Sequence, residues 1–208
     1  MKTLNIAITG FGNVGQHIAR LLWQRQAAYR ERYGTEVRLV GVCRSRSGLR
    51  CAQGLDAGDV LDTEFEPDLS GEAFLQGLEA DVLIEAGPSD FESGGMGLVY
   101  MRHALYVGMH VIAVSKGALA LHGQELLQTA KAHGVQVWVS GATAAALPTV
   151  DFVQRQLAGC EVLAIEGIFT GTANFILNQM MHEGMGFDAA LRQEQEAGID
   201  GGGSRIET

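Results

Sequence analysis

The sequence predicts an α/β fold: a doubly wound parallel sheet, followed by part of an α+β domain. From Leu4 to Val139, short apolar runs alternate with segments of helical periodicity, which is typical of a parallel sheet covered by helices on both faces. This alternation stops after Gly141. Hydrophobic residues make up 47% of the 208 residues and charged residues 19%, so the chain can bury a core. We therefore expect one domain over residues 1–140 and part of another over 141–208.

Five short apolar runs in the first domain predict strands, because runs of this length suit buried strands better than helices. They are residues 4–9, 36–43, 81–85, 110–114 and 135–139. Helical periodicity predicts helices over 16–33, 71–78, 97–107 and 117–133. Residues 44–69 show neither pattern and are expected to be loop-rich, with at most one short helix. In the second domain, residues 161–169 predict a strand, and 172–183 and 188–197 predict helices.

The segment GFGNVG, residues 10–15, joins the first predicted strand to the first predicted helix. Gly10 permits the turn, Gly12 lets a pyrophosphate approach the backbone, and Gly15 allows helix and strand to pack closely. The helix N-terminus offers N–H donors and partial positive charge to the phosphates. A Rossmann-type dinucleotide site is therefore predicted, the alternative being a tight turn with no ligand. The residues assigned to the cofactor are Gly10, Phe11, Gly12, Asn13, Val14 and Gly15.

The end of the second predicted strand favours NADP over NAD. An acid at this place normally holds the ribose 2′-hydroxyl of NAD, but here the strand runs into Arg44, Ser45 and Arg46. Two guanidiniums could instead bind a 2′-phosphate in bidentate fashion. We therefore assign Arg44 and Ser45 to the cofactor. In the alternative interpretation the arginines are solvated loop charges, and NAD remains possible.

Composition argues against several other classes of protein. The net charge of −9 disfavours a nucleic-acid partner, because duplex binding needs a basic surface. No apolar run approaches the roughly 18 residues of a membrane span, so no membrane partner is expected, and the N-terminus does not resemble a signal peptide. Cys43, Cys51 and Cys160 include no CxxC pair, which disfavours disulfides and a zinc site. A cytoplasmic location is the resulting expectation.

Four segments, in order and at fitting distances, resemble the homoserine dehydrogenase family. They are GFGNVG (10–15), VSKGALA (114–120), GATAAALP (141–148) and GIFTGTANFIL (167–177). The resemblance covers nearly the whole chain, and the last segment is its most specific part. It implies an NAD(P)-dependent oxidoreductase that interconverts L-aspartate 4-semialdehyde and L-homoserine, a step in threonine and methionine biosynthesis. It also implies a Rossmann domain followed by a substrate and dimerisation domain, and hence a homodimer.

Lys116 is the candidate catalytic residue. It follows a predicted strand, and ligands of open α/β sheets lie outside the carboxyl ends of the strands. A lysine there can contact a cofactor or a substrate oxygen, or supply a proton. The plainer alternative is a surface lysine that begins a helix. The resemblance favours the functional interpretation, and it also implies cofactor contacts from Gly87, Pro88, Ser115 and Lys116, with the Gly87 loop along the nicotinamide.

The motif TGTANF, residues 170–175, lies at a predicted strand-to-helix junction. The resemblance implies that this turn faces the substrate and the nicotinamide, with Gly171, Thr172 and Asn174 as substrate residues. The alternative for Thr172 is a helix cap. In the family, the loop that matches Ala142 to Leu147 holds a monovalent cation, but Gly141 stands where an acid is frequent. No metal is therefore predicted.

The sequence departs from the family pattern near its C-terminus. Gly198 matches a family glycine and is assigned to the cofactor, whereas Gly201 stands where an acid is expected, so Asp200 is assigned to the substrate instead. The Asp and Lys that follow in the family have no counterpart before Thr208. We expect a fragment with NADP(H) binding and impaired catalysis. The alternatives are a natural short form of the same family or a non-catalytic NADP(H)-binding module, and, less favoured, an acylating dehydrogenase with a cysteine nucleophile.

Overall fold

The computed structural model describes residues 1–56, 60, 63–144, 147–167 and 171–197. The chain divides into two compact units, Met1–Thr143 and Ala144–Thr208. The strands are β1 (Lys2–Thr9), β2 (Thr35–Cys43), β3 (Ser47–Arg50), β4 (Glu66–Pro67), β5 (Val82–Glu85), β6 (His110–Ala113) and β7 (Val137–Trp138). The helices of the first unit are α1 (Asn13–Gln24), α2 (Gln26–Tyr33), α3 (Gly71–Leu75), α4 (Gly95–Tyr106), α5 (Gly117–Ala132) and α6 (Ser140–Ala144), whose last residue crosses the boundary. The second unit contains α7 (Thr149–Asp151), a π-helix (Phe152–Gln156), α8 (Gly171–His182) and α9 (Phe187–Ala197).

The strands of the first unit form one sheet in the order β4–β3–β2–β1–β5–β6–β7. Strands β2, β1, β5, β6 and β7 are parallel, which confirms the predicted doubly wound Rossmann-type sheet. The chain continues from β1 to β2 on one side and returns to β5 on the other. This reversal of direction next to β1 is the switch point at which α/β sheets bind ligands.

Helices cover both faces of the sheet because successive residues of each strand point to opposite sides. In β1, Ala7 packs into one core, with Met101 and Leu105 of α4 and Leu126 of α5. Its neighbours Ile6 and Ile8 pack into the other core, with Ala19 of α1. The central strands are therefore apolar on both faces, as expected of buried parallel strands.

Residues 44–69 differ from the loop-rich segment expected from the sequence, because they contain two short strands. Strand β3 pairs antiparallel with β2, with Gly48 opposite Cys43, and β4 pairs antiparallel with β3. Neither strand is apolar or long enough to show a period of two in the sequence. Strand β3 forms because the edge of β2 offers unpaired backbone groups, and β4 forms on the new edge that β3 provides, so both depend on the assembled sheet.

The helix predicted over 16–33 is two helices, α1 and α2, separated at Arg25. Tertiary hydrogen bonds hold the chain on either side of this break. The indole of Trp23 donates to the carbonyl of Leu55 at 3.0 Å, and the amide of Gln26 donates to the carbonyl of Val37 at 2.6 Å. Helix α2 then ends at Gly34, which has the left-handed conformation common after a helix.

In the second unit, α8 and α9 pack against each other and bury Ile176, Ala190 and Glu194. The strand predicted over 161–169 is not present over its described part: residues 161–167 lie outside any helix or strand, and Leu163 is 86% exposed. An apolar run forms a strand only beside a neighbouring strand, and the described residues of this unit contain none. Across the described part of the chain, no helix is long and apolar enough to span a membrane.

Candidate functional site

The glycine turn after β1 is held by the ends of two neighbouring strands. Gly10 has a φ of +78°, and a Cβ there would overlap the backbone of Gly87, which follows β5. The amides of Gly10 and Phe11 both donate to the carbonyl of Cys43, the last residue of β2, at 3.0 and 2.9 Å. Only glycine satisfies both the φ angle and the close approach, so the turn has the geometry that the fingerprint predicts.

The N-terminus of α1 is open to a ligand. Gly12 precedes the helix in an extended conformation, and no side chain caps the helix. A Cβ at Gly12 would meet no atom of the other described residues, its chain neighbours aside, within 4 Å, and Asn13 and Val14 are exposed. Gly15 is buried instead, where a Cβ would lie 2.6 Å from the Gly10 carbonyl oxygen. The uncapped N–H groups of the first helical turn therefore face free space, which suits a phosphate.

At the end of β2, Arg44, Ser45 and Arg46 are all exposed. The guanidinium carbon of Arg44 lies 3.9 Å from the centre of the Phe65 ring, a cation–π contact. Phe65 in turn packs on Phe11 of the glycine turn, with ring centres 6.0 Å apart. Arg44 is thereby held beside the glycine turn, where the ribose end of a dinucleotide would lie.

Loops after β5 and β6 carry the other predicted cofactor residues of this unit. Gly87 is partly buried, Pro88 is exposed, Ser115 is buried and Lys116 is exposed. The backbone amide of Lys116 donates to the Ser89 hydroxyl at 2.9 Å, which joins the two loops. The Lys116 side chain is thus at the carboxyl edge of the sheet, immediately before α5.

Its position relative to the sheet distinguishes Lys116 from the other lysines of the chain. The sequence contains three lysines, Lys2, Lys116 and Lys131. Lys2 begins β1, at the opposite edge of the sheet, and Lys131 lies in the last turn of α5. Among the lysines of this sequence, only Lys116 is at the strand edge where ligands of this fold bind.

Glu85, the last residue of β5, was not identified from the sequence. Its side chain is 1% exposed, and its carboxylate accepts hydrogen bonds from the backbone amide of Gly87 at 2.8 Å and from the Ser115 hydroxyl. Burial raises the pKa of this carboxyl, and the hydrogen bonds from Ser115 and Gly87 oppose the shift. The only available signal was an acid that ends an otherwise apolar strand, VLIE.

In the second unit, the predicted substrate residues Gly171, Thr172 and Asn174 lie in the first turn of α8. Gly171 and Asn174 are exposed. The Thr172 hydroxyl donates to Oε1 of Glu194 in α9 at 2.8 Å, so it bonds to a side chain of the next helix, which differs from the capping role considered above. Thr170, Gly198 and Asp200 lie outside the described residues.

The described residues contain no group of three or more His, Cys, Asp or Glu side chains that could hold a metal ion. The candidate cation loop is described only in part. Within it, the Thr143 hydroxyl donates to the Ser140 carbonyl at 3.1 Å inside α6. The described residues thus comprise a glycine turn before an uncapped helix in the first unit and a polar first helical turn in the second.

Comparison with known proteins matches most of the sequence to one family. Residues 10–140 match the family model for the homoserine dehydrogenase NAD-binding domain, and residues 148–201 match the homoserine dehydrogenase model. Homoserine dehydrogenase of Methanocaldococcus jannaschii is 30% identical over 94% of this chain and 61% of its own length. The NAD(+)-dependent homoserine dehydrogenase of Pseudomonas canavaninivorans is 30% identical over 95% of this chain and 59% of its own. The chain thus spans about 60% of these relatives.

Solved structures agree with the fold. A candidate homoserine dehydrogenase from Archaeoglobus fulgidus is 30% identical and superposes with a TM-score of 0.81, over 94% of this chain and 60% of that one. A hyperthermophilic archaeal homoserine dehydrogenase mutant, solved in complex with NADPH, superposes with a TM-score of 0.76 over 95% of this chain and 62% of that one. At 21% identity, the second match supports the fold alone.

Proposed function

Since this chain belongs to the homoserine dehydrogenase family, we propose that it serves the NAD(P)-dependent interconversion of L-aspartate 4-semialdehyde and L-homoserine. The observation that carries this proposal is the glycine turn at the switch point of the sheet. Its open helix N-terminus and its bonds to Cys43 form a phosphate cradle before any ligand arrives. The 208 residues contain this cradle together with the TGTANF motif of the second unit.

In this proposal the nicotinamide cofactor supplies or accepts the hydride, and the residues of the chain position the reactants. Lys116 is at the carboxyl edge of the sheet with an exposed side chain. Its ammonium group can bind an oxygen of the cofactor or of the substrate, and it can donate a proton to an aldehyde oxygen as charge develops there. Gly171, Thr172 and Asn174 are assigned to the substrate. From the family pattern alone, Asp200 is also assigned to the substrate and Gly198 to the cofactor.

We assign NADP as the preferred cofactor. Arg44 is held by its contact with Phe65, and the salt bridges among the described residues involve neither Arg44 nor Arg46. Two guanidiniums that are not neutralised by carboxylates suit a 2′-phosphate better than a ribose hydroxyl. The Pseudomonas canavaninivorans relative is named as NAD(+)-dependent, so the preference has to be measured on this chain.

Further features of the proposal concern the biological setting. The product L-homoserine would supply threonine and methionine biosynthesis in the cytoplasm. We also propose a homodimer that pairs through the second unit. Val162, Leu163 and Ile165 support this, because three exposed apolar side chains in four residues are suited to burial against another strand.

A cysteine-dependent acylating dehydrogenase fits the site less well. Cys43 is buried, its thiol contacts the Tyr100 hydroxyl at 3.4 Å, and burial raises its pKa, which disfavours the nucleophilic thiolate. Cys160 lies in the second unit and is exposed, after the π-helix. Alkylation of the exposed thiol is therefore expected to leave cofactor binding unchanged.

The proposal is tested on the 208-residue chain in two steps. Calorimetric titration with NADPH and NADH measures binding, and absorbance at the nicotinamide band then measures turnover with aspartate semialdehyde. We expect NADPH to bind and turnover to be weak. Failure to bind either cofactor would overturn the proposed function, whereas binding with no turnover under any condition would favour a non-catalytic binding module.

A further inference from the structure

Glu85 is a buried carboxylate to which the function proposed above assigns no role. It ends β5, between β1 and β6, at the switch point of the sheet. Both of its carboxylate oxygens have partners: Oε1 accepts from the Gly87 amide, and Oε2 accepts from the Ser115 hydroxyl. Its main-chain carbonyl accepts a hydrogen bond from the amide of Val114 at 2.8 Å, so both the side chain and the main chain of Glu85 are hydrogen-bonded.

The two partners of the carboxylate belong to different loops. Gly87 follows β5 and packs against Gly10 of the glycine turn, whereas Ser115 follows β6 and directly precedes Lys116. One side chain therefore connects the loop that touches the phosphate cradle with the loop that carries the candidate catalytic lysine. A second connection, from the Lys116 amide to Ser89, runs parallel to it nearer the surface.

The packing around Glu85 leaves room for its carboxylate. Gly97 of α4 faces it, and a Cβ there would lie 3.2 Å from the carboxyl carbon of Glu85. The salt bridges of the described residues include none to Glu85, although an unpaired buried charge is costly. Oriented hydrogen-bond donors from Gly87 and Ser115 are what compensate this cost in the structure.

Glu85 lies on the side of the sheet where the nicotinamide half of the proposed cofactor would bind. In this fold the pyrophosphate lies on the first turn, and the adenosine lies over the end of β2. The nicotinamide half therefore lies over β5 and β6, where Gly87 and Ser115 are located. Glu85 does not reach the end of β2, because β1 separates β5 from β2.

We propose that Glu85 is a positioning residue, which fixes the Gly87 and Ser115–Lys116 loops in the arrangement that receives the nicotinamide half of the cofactor. The inference rests on the proposed function, since it requires a dinucleotide in this cradle. Glu85 acts through the two loops and touches neither the cofactor nor the substrate. Its contribution is to affinity for the nicotinamide half and to the placement of Lys116.

Two ligands separate this role from a general role in stability. NADPH contains both halves of the cofactor, whereas 2′,5′-ADP contains the adenosine half with its 2′-phosphate and no nicotinamide. Calorimetric titration of the 208-residue chain with each ligand is carried out for the wild type and for Glu85→Ala, Glu85→Gln and Ser115→Ala. Glutamine can accept from Gly87 and donate to Ser115, so it retains both connections without the charge.

We expect Glu85→Ala to raise the Kd of NADPH by about tenfold or more, because misplaced loops lose orientation, and to change the Kd of 2′,5′-ADP by less than about twofold. Ser115→Ala should give a smaller rise, also confined to NADPH. Glu85→Gln should recover most of what Glu85→Ala loses. If Glu85→Ala does not fold, the inference is tested by comparing the Kd values of NADPH and 2′,5′-ADP for Ser115→Ala with those for the wild type.

Two results would overturn the inference while leaving the proposed function intact. One is unchanged NADPH affinity in both alanine variants, and the other is an equal loss for both ligands. A wild-type chain that binds neither ligand would overturn the proposed function and, with it, the role of Glu85.

Discussion

The Thr172 hydroxyl donates a hydrogen bond to the buried carboxylate of Glu194 at 2.8 Å, although 22 positions separate the two residues. The bond joins the start of α8 to the end of α9, so the two helices run antiparallel. Glu194 is fully buried, and its Oε2 has no hydrogen-bond partner among the described residues. Thr172, a residue of the TGTANF motif, therefore links the two helices of the second unit.

Thr172→Val is expected to destabilise the α8–α9 pair by about 1–3 kcal/mol, because it leaves a buried carboxylate with no donor. Thr172→Ser retains the hydroxyl and should stay close to the wild type. Both tryptophans of the sequence, Trp23 and Trp138, lie in the first unit, so hydrogen exchange of the α8 and α9 amides is the suitable measurement.

A double variant separates the hydrogen bond from the size of the side chain. Thr172→Val combined with Glu194→Leu removes donor and acceptor together, and it should recover stability relative to Thr172→Val alone. Additive effects of the two substitutions would contradict a direct interaction between Thr172 and Glu194.

Titration of Glu85 should make the stability of the first unit depend on pH. Its native pKa is raised above the ordinary value of 4.5 by burial, so the folded state binds the proton more tightly than the unfolded chain. Stability therefore falls as the pH rises from 4.5 through the native pKa, and it levels off above that value. Glu85→Gln removes this dependence, so its stability relative to the wild type should increase over the same window.

Urea unfolding followed by tryptophan fluorescence tests this sign, since both tryptophans report on the first unit. Tyr100 of α4 is a nearby titratable group, because the charge of Glu85 contributes to raising its pKa, and both the wild type and Glu85→Gln retain it. An advantage of Glu85→Gln that shrinks as the pH rises towards 4.5, and stays constant above that value, would show that the native pKa of Glu85 is lowered instead.

Gly10 and Gly12 should respond differently to alanine. Gly10→Ala places a Cβ on the Gly87 backbone at a positive φ, so it should cost about 1–3 kcal/mol of stability and abolish cofactor binding. The added methyl group of Gly12→Ala meets no atom of the described residues beyond its chain neighbours within 4 Å, so stability should be retained. NADPH binding should still be lost, because the methyl group would occupy the space of the pyrophosphate.

Urea unfolding and NADPH titration on the two variants provide the comparison. Gly12→Ala with wild-type affinity for NADPH would exclude the first helix turn as the phosphate site. Gly10→Ala with wild-type stability would mean that the Gly87 loop can move away without cost.

Arg44→Ala should weaken NADPH binding by about tenfold to hundredfold and leave NADH binding nearly unchanged, because only NADPH carries the 2′-phosphate. Arg20→Ala, an exposed arginine of α1, is the matched control and should affect neither ligand. Equal losses for both ligands in Arg44→Ala would assign the arginine to adenine stacking or to local structure instead.

The parallel strands β1, β2, β5 and β6 could be predicted from sequence because each is an apolar run in which most residues are buried or partly buried. Strands β3 and β4 could not, since SGLR and EP carry no apolar pattern; β3 forms only as a partner of β2, and β4 only as a partner of β3. For the opposite reason, residues 161–167 have the composition of a strand but no neighbour in the described part of their unit. Strand pairing depends on residues that are distant in the sequence. The local sequence therefore indicates a strand reliably only when the strand is also buried, because burial requires apolar residues.

The sequence alone determined the position of the glycine turn, because the positive φ of Gly10 and the close approaches at Gly10 and Gly15 require glycine, which the sequence shows directly. It likewise determined the family motif that begins α8. Only the tertiary structure decided which acids are buried. Glu85 and Glu194 look like ordinary charged residues in the sequence, and they become connecting elements because distant donors, Ser115 and Thr172, are brought to them by folding. A charge is tolerated in the interior only where such donors converge, and that convergence is a property of the folded chain.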